Sequence, residues 1–440
     1  MINDYTFDNI LPRSVELVQR VFPGVELGAC RFVRDMNGHL FVVVPDNIDE
    51  KSLEAASSEL ANVLGAYSPS LDGGLVRFKD TLSGLALHDE PVLVHDINGS
   101  LVRVIERSVV GQDWAQAPMQ ADGGPPRVAF FSLKGGVGRS TALFLLGRHL
   151  AAQGRTLLLI DLDMEAPGLG AQLLSEGAHP EFGVLDWLVE DLVKNPLAEH
   201  MAERMVARTS WSECPGLHIA PAVGYATDQH PSGFISKLAR AYLGTNEARG
   251  EEGFAARARR LCKALEAHVR PDVVLIDSRA GLHETAAAAV LHLDADVLLF
   301  STDQPMAWKG YRYLLARLGL MAETFAGEYD DDWRLKFKMV HAKAGETQWE
   351  LDRYLENSYQ LWVDSLYDET PPGSDKDWFT FSIKDEAAPH YPLTILRDSL
   401  FERFNPLEHL PKVVETAITT AFGDFARELE QRIFGEIDAN

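Results

Sequence analysis

The chain has 440 residues, 46% of them hydrophobic, which is enough for two or three domains with cores of their own. Its formal net charge of −24 opposes nonspecific DNA binding, although it leaves room for a local basic patch. Its three cysteines lie far apart, so neither a disulfide framework nor a cysteine metal site is expected. Since no run approaches the ~20 apolar residues of a membrane span and no secretory signal pattern is present, we expect a cytoplasmic protein that is not in the membrane.

Residues 1–115 are predicted to form a small α+β domain. Apolar spacing favours helices over residues 13–22 and 50–64. The pairs Asn37-Gly38 and Asn98-Gly99, each between two apolar runs, predict two hairpins. No catalytic pattern is present in this domain. Residues 116–126 have the Pro- and Gly-rich composition that is typical of a linker.

A glycine-rich loop follows the first strand of the next domain. Val128–Ser132 indicates a buried strand and Ala142–Leu146 the start of a helix. Glycines let backbone N–H groups approach phosphate oxygens, and a helix N-terminus adds unpaired donors. Ser140 stands where a hydroxyl can ligate Mg²⁺. The residues expected to hold a phosphate are Lys134, Gly135, Gly136, Val137, Gly138, Arg139, Ser140 and Thr141.

Two later apolar runs end in acidic residues. Leu157–Ile160 is followed by Asp161 and Asp163, and a second run, Val273–Ile276, is followed by Asp277. Ligands bind at the carboxyl edge of open α/β sheets, so these carboxylates are expected close to the glycine loop. Asp277 is suited to hold Mg²⁺ through water. For Asp161, capping of the next segment and a role in the site both stay open.

The three motifs, in this order, resemble those of a known protein family. The loop begins with Lys134, and Arg139 stands where a phosphate-binding loop usually has lysine. With the Asp163 and Asp277 motifs downstream, the loop resembles the deviant Walker A loop of the ParA/MinD family of ATPases, of the SIMIBI class. The resemblance covers residues 127–345. It implies an α/β P-loop NTPase domain with a doubly wound, mostly parallel sheet.

The resemblance also implies roles for individual residues. Lys134 is expected to reach the phosphates of a second subunit in an ATP-dependent homodimer. Asp163 is expected to orient the attacking water and to join the Mg²⁺ shell, whose other ligands are Ser140 and Asp277. Gly281, after the second acidic motif, is expected to sense the γ-phosphate through its backbone N–H.

Arg139 is expected to contact the β- and γ-phosphates of ATP. Its guanidinium is broad and planar, whereas the lysine that it replaces carries a compact charge. We therefore predict retained ATP binding with slow, partner-stimulated hydrolysis.

The remaining chain is predicted to complete the sheet and to add a C-terminal extension. Residues 346–440 are expected to be mostly helical. The amphipathic segment Asp424–Ile437 has mixed charges and therefore favours a packing or partner helix over a membrane helix. Further strands are predicted over residues 216–221, 296–301 and 334–341, with a helix over 308–320.

Two features bear on ligands other than phosphate. The family often reads adenine with an asparagine near the end of a strand, but Val340–Gly345 contains none, so the mode of base recognition is not identified. Arg257, Arg259, Arg260 and Lys263 cluster in one helical segment, which is expected to be a solvated helix face.

The function expected from these observations is an ATP-hydrolysing dimeric switch that recruits or regulates an unidentified protein partner. Three alternatives stay open: an ATPase that partitions or positions DNA or cargo, a metal-centre assembly ATPase, and a nucleotide-binding scaffold without turnover. The acidic charge disfavours the first of these, and the lack of paired cysteines disfavours the second.

Overall fold

The protein is seen in a computed structural model with two compact units. One comprises Met1–Ala117 with Arg317–Glu328, and the other comprises Pro118–Ala316 with Tyr329–Asn440. Within the part of the chain that is described, no helix has the length and apolar character needed to cross a membrane. The structure describes residues 5–69, 74–81, 87, 90–108, 111–209, 211, 214–247, 250–329, 332–370, 378–402, 404–409 and 415–435.

The first unit contains a five-stranded mixed sheet. Its elements are α1 Phe7–Val21, β1 Arg31–Arg34, β2 Leu40–Val44, α2 Glu50–Leu64, β3 Leu75–Arg77, β4 Leu93–Ile97 and β5 Ser100–Glu106. The strand order is β3-β2-β1-β5-β4, and both predicted hairpins are present as antiparallel pairs. Asn98 and Gly99 both have positive φ, the conformation that a tight two-residue hairpin turn requires. Helices α1 and α2 cover one face of the sheet over a core that includes Phe32 and Leu60.

The rest of the chain alternates strands and helices. In order, these are β6 Arg127–Ser132, α3 Arg139–Ala152, β7 Leu157–Asp161, α4 Leu169–Leu173, α5 Val184–Leu192, β8 Ala207–Arg208, β9 Leu217–Ala220, α6 Tyr225–Asp228, α7 Phe234–Ala241, β10 Thr245–Glu247, β11 Gly250–Glu252, α8 Phe254–Val269, β12 Val273–Asp277, α9 Glu284–Ala287, β13 Ala295–Ser301, α10 Pro305–Thr324, β14 Phe337–Ala344, α11 Gln348–Ser365, β15 Leu393–Leu396, α12 Pro406–His409 and α13 Glu415–Phe434.

An eight-stranded sheet forms the centre of the second unit. Its order is β15-β14-β13-β6-β12-β7-β9-β8, and every neighbouring pair is parallel except β8 with β9. Strands β6, β7 and β12 are buried at every position, as expected when both faces of a parallel sheet are covered. Gly147 lets α3 pack closely on the sheet, since a Cβ there would meet Leu217 at 3.2 Å. The predicted α/β fold class is confirmed.

The C-terminal residues differ from expectation in two respects. Leu393–Leu396 forms a strand, β15, which pairs with β14 and extends the main sheet. Helix α13 begins at Glu415, earlier than predicted, and buries Phe425 and Leu429 in the core of this unit. The predicted last residue of that helix, Ile437, lies outside the described residues.

The prediction that the basic helical segment presents a solvated face is wrong for Arg257. This side chain is fully buried, and its Nε donates to Asp191 Oδ2 at 2.8 Å. Its Nη1 donates to the carbonyls of Ala241 and Leu243 at 3.1 and 2.6 Å. Arg257 therefore joins helices α5, α7 and α8 from inside, whereas Arg260 on the same helix is exposed.

Candidate functional site

The glycine loop forms an open cradle between β6 and α3. Gly136 and Gly138 have φ of +76° and +94°, a left-handed conformation that favours glycine. A Cβ built on Gly135, Gly136 or Gly138 would meet no atom within 4 Å. Gly138 is the N-cap of α3, so the first-turn N–H groups that follow it have no partner inside the helix. The cradle is thus free of side chains and lined with donors, as a phosphate requires.

Lys134 lies at the lip of this cradle. Its backbone carbonyl accepts a hydrogen bond from Ser132 Oγ at 3.0 Å. Its side chain is exposed, and its ammonium makes no hydrogen bond or ion pair within the described residues. The charge of Lys134 is therefore exposed to solvent.

The acidic motifs meet at the carboxyl edge of the sheet. Strands β7 and β12 are neighbours, and their last residues, Asp161 and Asp277, stand opposite each other in register. Leu162 N–H donates to the Asp277 carbonyl at 2.9 Å and so ties the start of the loop carrying Asp163 to β12. The structure therefore brings the glycine loop and both acidic motifs together, as the parallel topology predicts.

Arg139 is held by these acids. Its Nε donates to Asp277 Oδ1 at 2.5 Å, and its Nη2 donates to Asp163 Oδ2 at 3.1 Å. Its Nη1 donates to Ser132 Oγ at 3.1 Å. Burial opposes the charge of the guanidinium, but the adjacent carboxylates outweigh it and raise the pKa of Arg139. The side chain expected at the phosphates thus neutralises two acids in this structure.

Ser140 and Asp277 form the pair best suited to a magnesium ion. Ser140 Oγ donates to Asp277 Oδ2 at 2.6 Å, so the hydroxyl and carboxylate oxygens that would bind the ion are already adjacent. Both lie beside the open cradle, and hard oxygen ligands are those that Mg²⁺ prefers. These residues fit a magnesium ion bound together with a phosphate.

Asp161 serves as a cap, one of the two alternatives that the sequence leaves open. Its carboxylate accepts the backbone N–H groups of Asp163, Gly168 and Leu169 at 3.0, 3.1 and 3.1 Å. Burial, followed by the nearby charge of Asp277, raises the pKa of Asp161 to about 7. Burial also raises the pKa of Asp163. Asp161 therefore fixes the loop that presents Asp163.

Gly281 has its backbone N–H engaged within the chain. The group donates to the Ser132 carbonyl at 2.9 Å, and the residue has a φ of +90°. A contact from this N–H to a γ-phosphate would require that hydrogen bond to break. Gly281 is thus hydrogen-bonded to the last residue of β6, two residues before the glycine loop begins at Lys134.

Two contacts at the site were missed in the sequence. Glu165, in the loop after β7, forms an ion pair with Arg279, in the loop after β12, with oxygen–nitrogen distances of 2.6 and 2.5 Å. Lys343 Nζ donates to the Gly136 carbonyl at 2.7 Å. Arg279 stands two residues after Asp277, so its position in the sequence could have indicated a contact at this edge of the sheet. The residues around Lys343 give no indication that its side chain contacts the glycine loop.

A polar cleft borders the cradle at the ends of β13 and β14. Its volume is about 340 Å³, and its lining includes Thr302, His341, Lys343, Arg353 and Arg397. His341 is buried, its ring is stacked on Tyr354 at 3.9 Å, and burial lowers its pKa to about 4. An adjoining groove has apolar walls formed by Val137, Ile395, Leu396, Phe401 and Phe422.

A separate cavity of about 370 Å³ borders the loop that carries Asp163. It is lined by Asp161, Glu165, His179 and Phe234, together with small apolar residues of α4 and of the loop after β9. The loop that carries Asp163 therefore has this cavity beside it, in addition to the ion pair between its Glu165 and Arg279.

No protein-family model and no curated protein matches the sequence. Among solved structures, a ParA family ATPase from Chlorobium tepidum TLS is 16% identical, with 69% of this chain and 99% of that chain covered and a TM-score of 0.39. An ATP complex of a substituted McdA from Cyanothece is 15% identical, with 72% and 100% covered and a TM-score of 0.43. The MinD cell division protein from Aquifex aeolicus is 18% identical, with 69% and 97% covered and a TM-score of 0.38.

These proteins are of the ParA/MinD type that the motifs resemble. Because the identities and TM-scores are low, the function of this chain is inferred from its own residues.

Proposed function

We propose that the protein binds ATP with Mg²⁺, hydrolyses it slowly, and acts as a dimeric switch that recruits or regulates a partner protein. The observation that carries the proposal is the open glycine cradle, which lies beside Ser140, Asp163 and Asp277 at one edge of the sheet. Phosphoryl transfer to water needs positioned donors, a metal site and an oriented nucleophile, and the cradle region offers residues for each.

The cradle is suited to the β-phosphate. The backbone N–H groups of residues 136–141 would donate to it, and α3, which begins directly after Gly138, would direct the positive end of its dipole toward it. Lys343 donates to the Gly136 carbonyl, so this acceptor of the loop already has a partner. Arg139 would contact the phosphates once it leaves the acids.

Ser140 and Asp277 would hold Mg²⁺, and Asp163 would orient the attacking water and lie near the metal shell. A bound Mg²⁺ supplies charge neutralisation for the phosphate oxygens. Asp161 holds the Asp163 loop through three backbone hydrogen bonds, so the nucleophile-orienting carboxylate is preorganised. The backbone N–H of Gly281 would sense the γ-phosphate, because it would leave the Ser132 carbonyl and donate to the phosphate.

Lys134 is proposed to act on the second subunit of an ATP-dependent homodimer. An exposed ammonium at the lip of the cradle, without a partner in the described part of its own chain, is available to a phosphate across an interface. A cation supplied in this way to phosphoryl transfer is worth about 10³-fold or more in rate.

The adenine base is proposed to lie in the polar cleft and its adjoining groove. Val137 and Ile395 provide apolar surface for a ring, and Lys343 and Arg397 provide polar groups at its rim. ATP is preferred as the nucleotide because the similar McdA structure is an ATP complex.

The partner is proposed to be a protein that contacts the first unit or the C-terminal helices. The net charge of −24 makes nonspecific DNA unfavourable as the main partner. Binding to random duplex DNA at several salt concentrations, with and without ATP, separates this proposal from a DNA-partitioning role.

The dimeric switch is tested by measuring the molar mass with light scattering in the absence of nucleotide, with ADP, and with ATP and Mg²⁺. Asp163→Ala should slow hydrolysis and accumulate the ATP-bound dimer. Lys134→Ala should bind ATP yet stay monomeric and lose turnover. Lys51→Ala, at an exposed lysine of α2, is the matched control and should behave as the wild type.

Phosphate release from the wild type should be slow and linear in time. An ATP-saturated Asp163→Ala protein with the mass of a monomer would refute the dimer. Equal turnover in the wild type and Lys134→Ala would refute the role of Lys134.

A further inference from the structure

Arg139 connects the glycine loop with the acids behind it. It is the first residue of α3, yet its three guanidinium nitrogens bond to Asp277, Asp163 and Ser132. The side chain is only 9% exposed. The cation that borders the cradle is therefore committed to the acids in this structure.

We propose that Arg139 is a relay between the nucleotide and the metal site. While the cradle holds no triphosphate, its guanidinium neutralises Asp277 and Asp163 and keeps Mg²⁺ away from them. When a triphosphate binds, the guanidinium moves to the phosphates and frees both carboxylates. This inference rests on the proposed ATP-binding function and assigns how ATP regulates the same site.

A cation is needed at this place because three carboxylates converge there. Asp161 and Asp277 are almost completely buried, and the side chain of Asp163 is 14% exposed. Buried charges are costly unless they are paired, and removing one partner of such a group is strongly destabilising. Arg139 provides the balancing charge in the described structure, and Mg²⁺ is the other cation that could provide it.

The shape of arginine explains how one side chain reaches three groups. Nε, Nη1 and Nη2 each bond to a different residue, because the planar fork spreads its donors over three nitrogen atoms, whereas an ammonium carries all its donors on one. The same fork can bind two phosphate oxygens at once, so a triphosphate is a strong competing partner.

At Asp277 the two cations compete for the same carboxylate. Its Oδ1 accepts from Arg139 at 2.5 Å, and its Oδ2 accepts from Ser140 Oγ at 2.6 Å. Both oxygens thus already accept a hydrogen bond, and the positive charge of Arg139 beside Oδ1 disfavours a second cation at this carboxylate. Since ATP offers Arg139 another partner, Mg²⁺ should bind well with ATP and poorly without it.

The test is thermal unfolding in EDTA and then in increasing MgCl₂ without nucleotide. The wild type should show no change in Tm with Mg²⁺. Arg139→Gln, which removes the resident cation, should unfold at a lower Tm in EDTA and gain at least about 2 °C with Mg²⁺. Arg139→Lys should respond to Mg²⁺ to an intermediate extent.

Arg257→Gln is the matched control, since it removes another buried arginine that is paired with an aspartate far from the cradle in sequence. It should lower the Tm in EDTA, and Mg²⁺ should not restore it. Stabilisation of the wild type by Mg²⁺ alone, equal to that of Arg139→Gln, would overturn the relay. So would an Arg139→Gln or Arg139→Lys protein that gains nothing from Mg²⁺.

ATP titration of the wild type separates this inference from the proposed function. If the wild type binds ATP but also takes Mg²⁺ without it, the relay fails and the ATP-binding function stands. If ATP does not bind at all, the proposed function fails with it.

Discussion

The substitution Gly138→Ala tests the phosphate cradle separately from the stability of the fold. Gly138 has a φ of +94°, and a non-glycine residue in this left-handed region costs roughly 1–2 kcal/mol. The added Cβ meets no protein atom within 4 Å, so no packing term is added to that cost. The free energy of unfolding without nucleotide should therefore fall by about 1–2 kcal/mol.

ATP affinity should also fall, for a reason separate from the loss of stability. The Cβ enters the space where a phosphate would approach the backbone, and a hydrogen bond to a charged group contributes about 1.5–3 kcal/mol. Loss of one such bond corresponds to an affinity about 10- to 150-fold weaker. Urea unfolding without nucleotide measures the first quantity, and calorimetric titration with ATP and Mg²⁺ measures the second.

Gly177→Ala is the matched control. Gly177 has a φ of +87° and equally open surroundings, but it lies in a turn outside the glycine loop. Both variants should lose similar stability, and only Gly138→Ala should lose ATP affinity. Equal ATP affinities in the two variants would refute the assignment of the cradle.

Three further predictions concern buried charged and titratable groups. Glu266→Gln removes the carboxylate that accepts two hydrogen bonds from buried Arg127 and leaves Asp122 as its remaining acidic partner, so the free energy of urea unfolding should fall by about 1–3 kcal/mol; an unchanged free energy of unfolding would contradict this. His341 has its pKa lowered from 6.5 to about 4 by burial, so the unfolded chain alone takes up this proton between those values. About 3 kcal/mol of stability should therefore be lost as the pH falls from 6.5 to 4. In His341→Phe, which keeps a ring against Tyr354, the free energy of unfolding should fall less over this pH range. An equal fall in the wild type and the variant would contradict this. Lys338 has its pKa lowered from 10.5 to about 8 by burial, so its contribution to stability should rise with pH between these values, and Lys338→Met should lack that rise in pH-dependent unfolding. An equal rise in both proteins would contradict the assignment to Lys338.

Local features of the fold could be predicted from the sequence. The Asn-Gly pairs specify hairpins because both residues accept positive φ, and both hairpins are present. Helix α2 has the predicted bounds, Glu50–Leu64. Its apolar residues recur at helical spacing from Leu53, and the side chain of Asp49 caps the helix by accepting from Ser52 N–H. These signals lie within a few residues, so no tertiary contact is needed to read them.

Features that depend on distant segments could not be predicted. Strand β15 consists of four residues, Leu393–Leu396, and is a strand because β14 pairs with it. Arg257 is buried because acceptors from two other helices and the segment after α7 surround it, and no local pattern distinguishes it from exposed Arg260.

In the candidate site too, local motifs could be predicted from the sequence, whereas contacts between distant residues could not. The glycine loop and the acids of β7 and β12 are contiguous motifs, and parallel strands bring their ends to one edge. The side-chain geometry follows from contacts between motifs. Arg139 bonds to acids 24 and 138 residues away, and Lys343 reaches a carbonyl 207 residues away. Sequence spacing carries no information about such pairings.

Calorimetric titration of the wild-type protein with ATP in the presence of Mg²⁺ tests the central claim most directly. An open cradle of amides beside Ser140 and Asp277 predicts saturable binding of one ATP per chain, weakened strongly in Gly138→Ala and unchanged in Gly177→Ala. No detectable heat of binding at any ATP concentration, from a protein shown by circular dichroism to be folded, would contradict it.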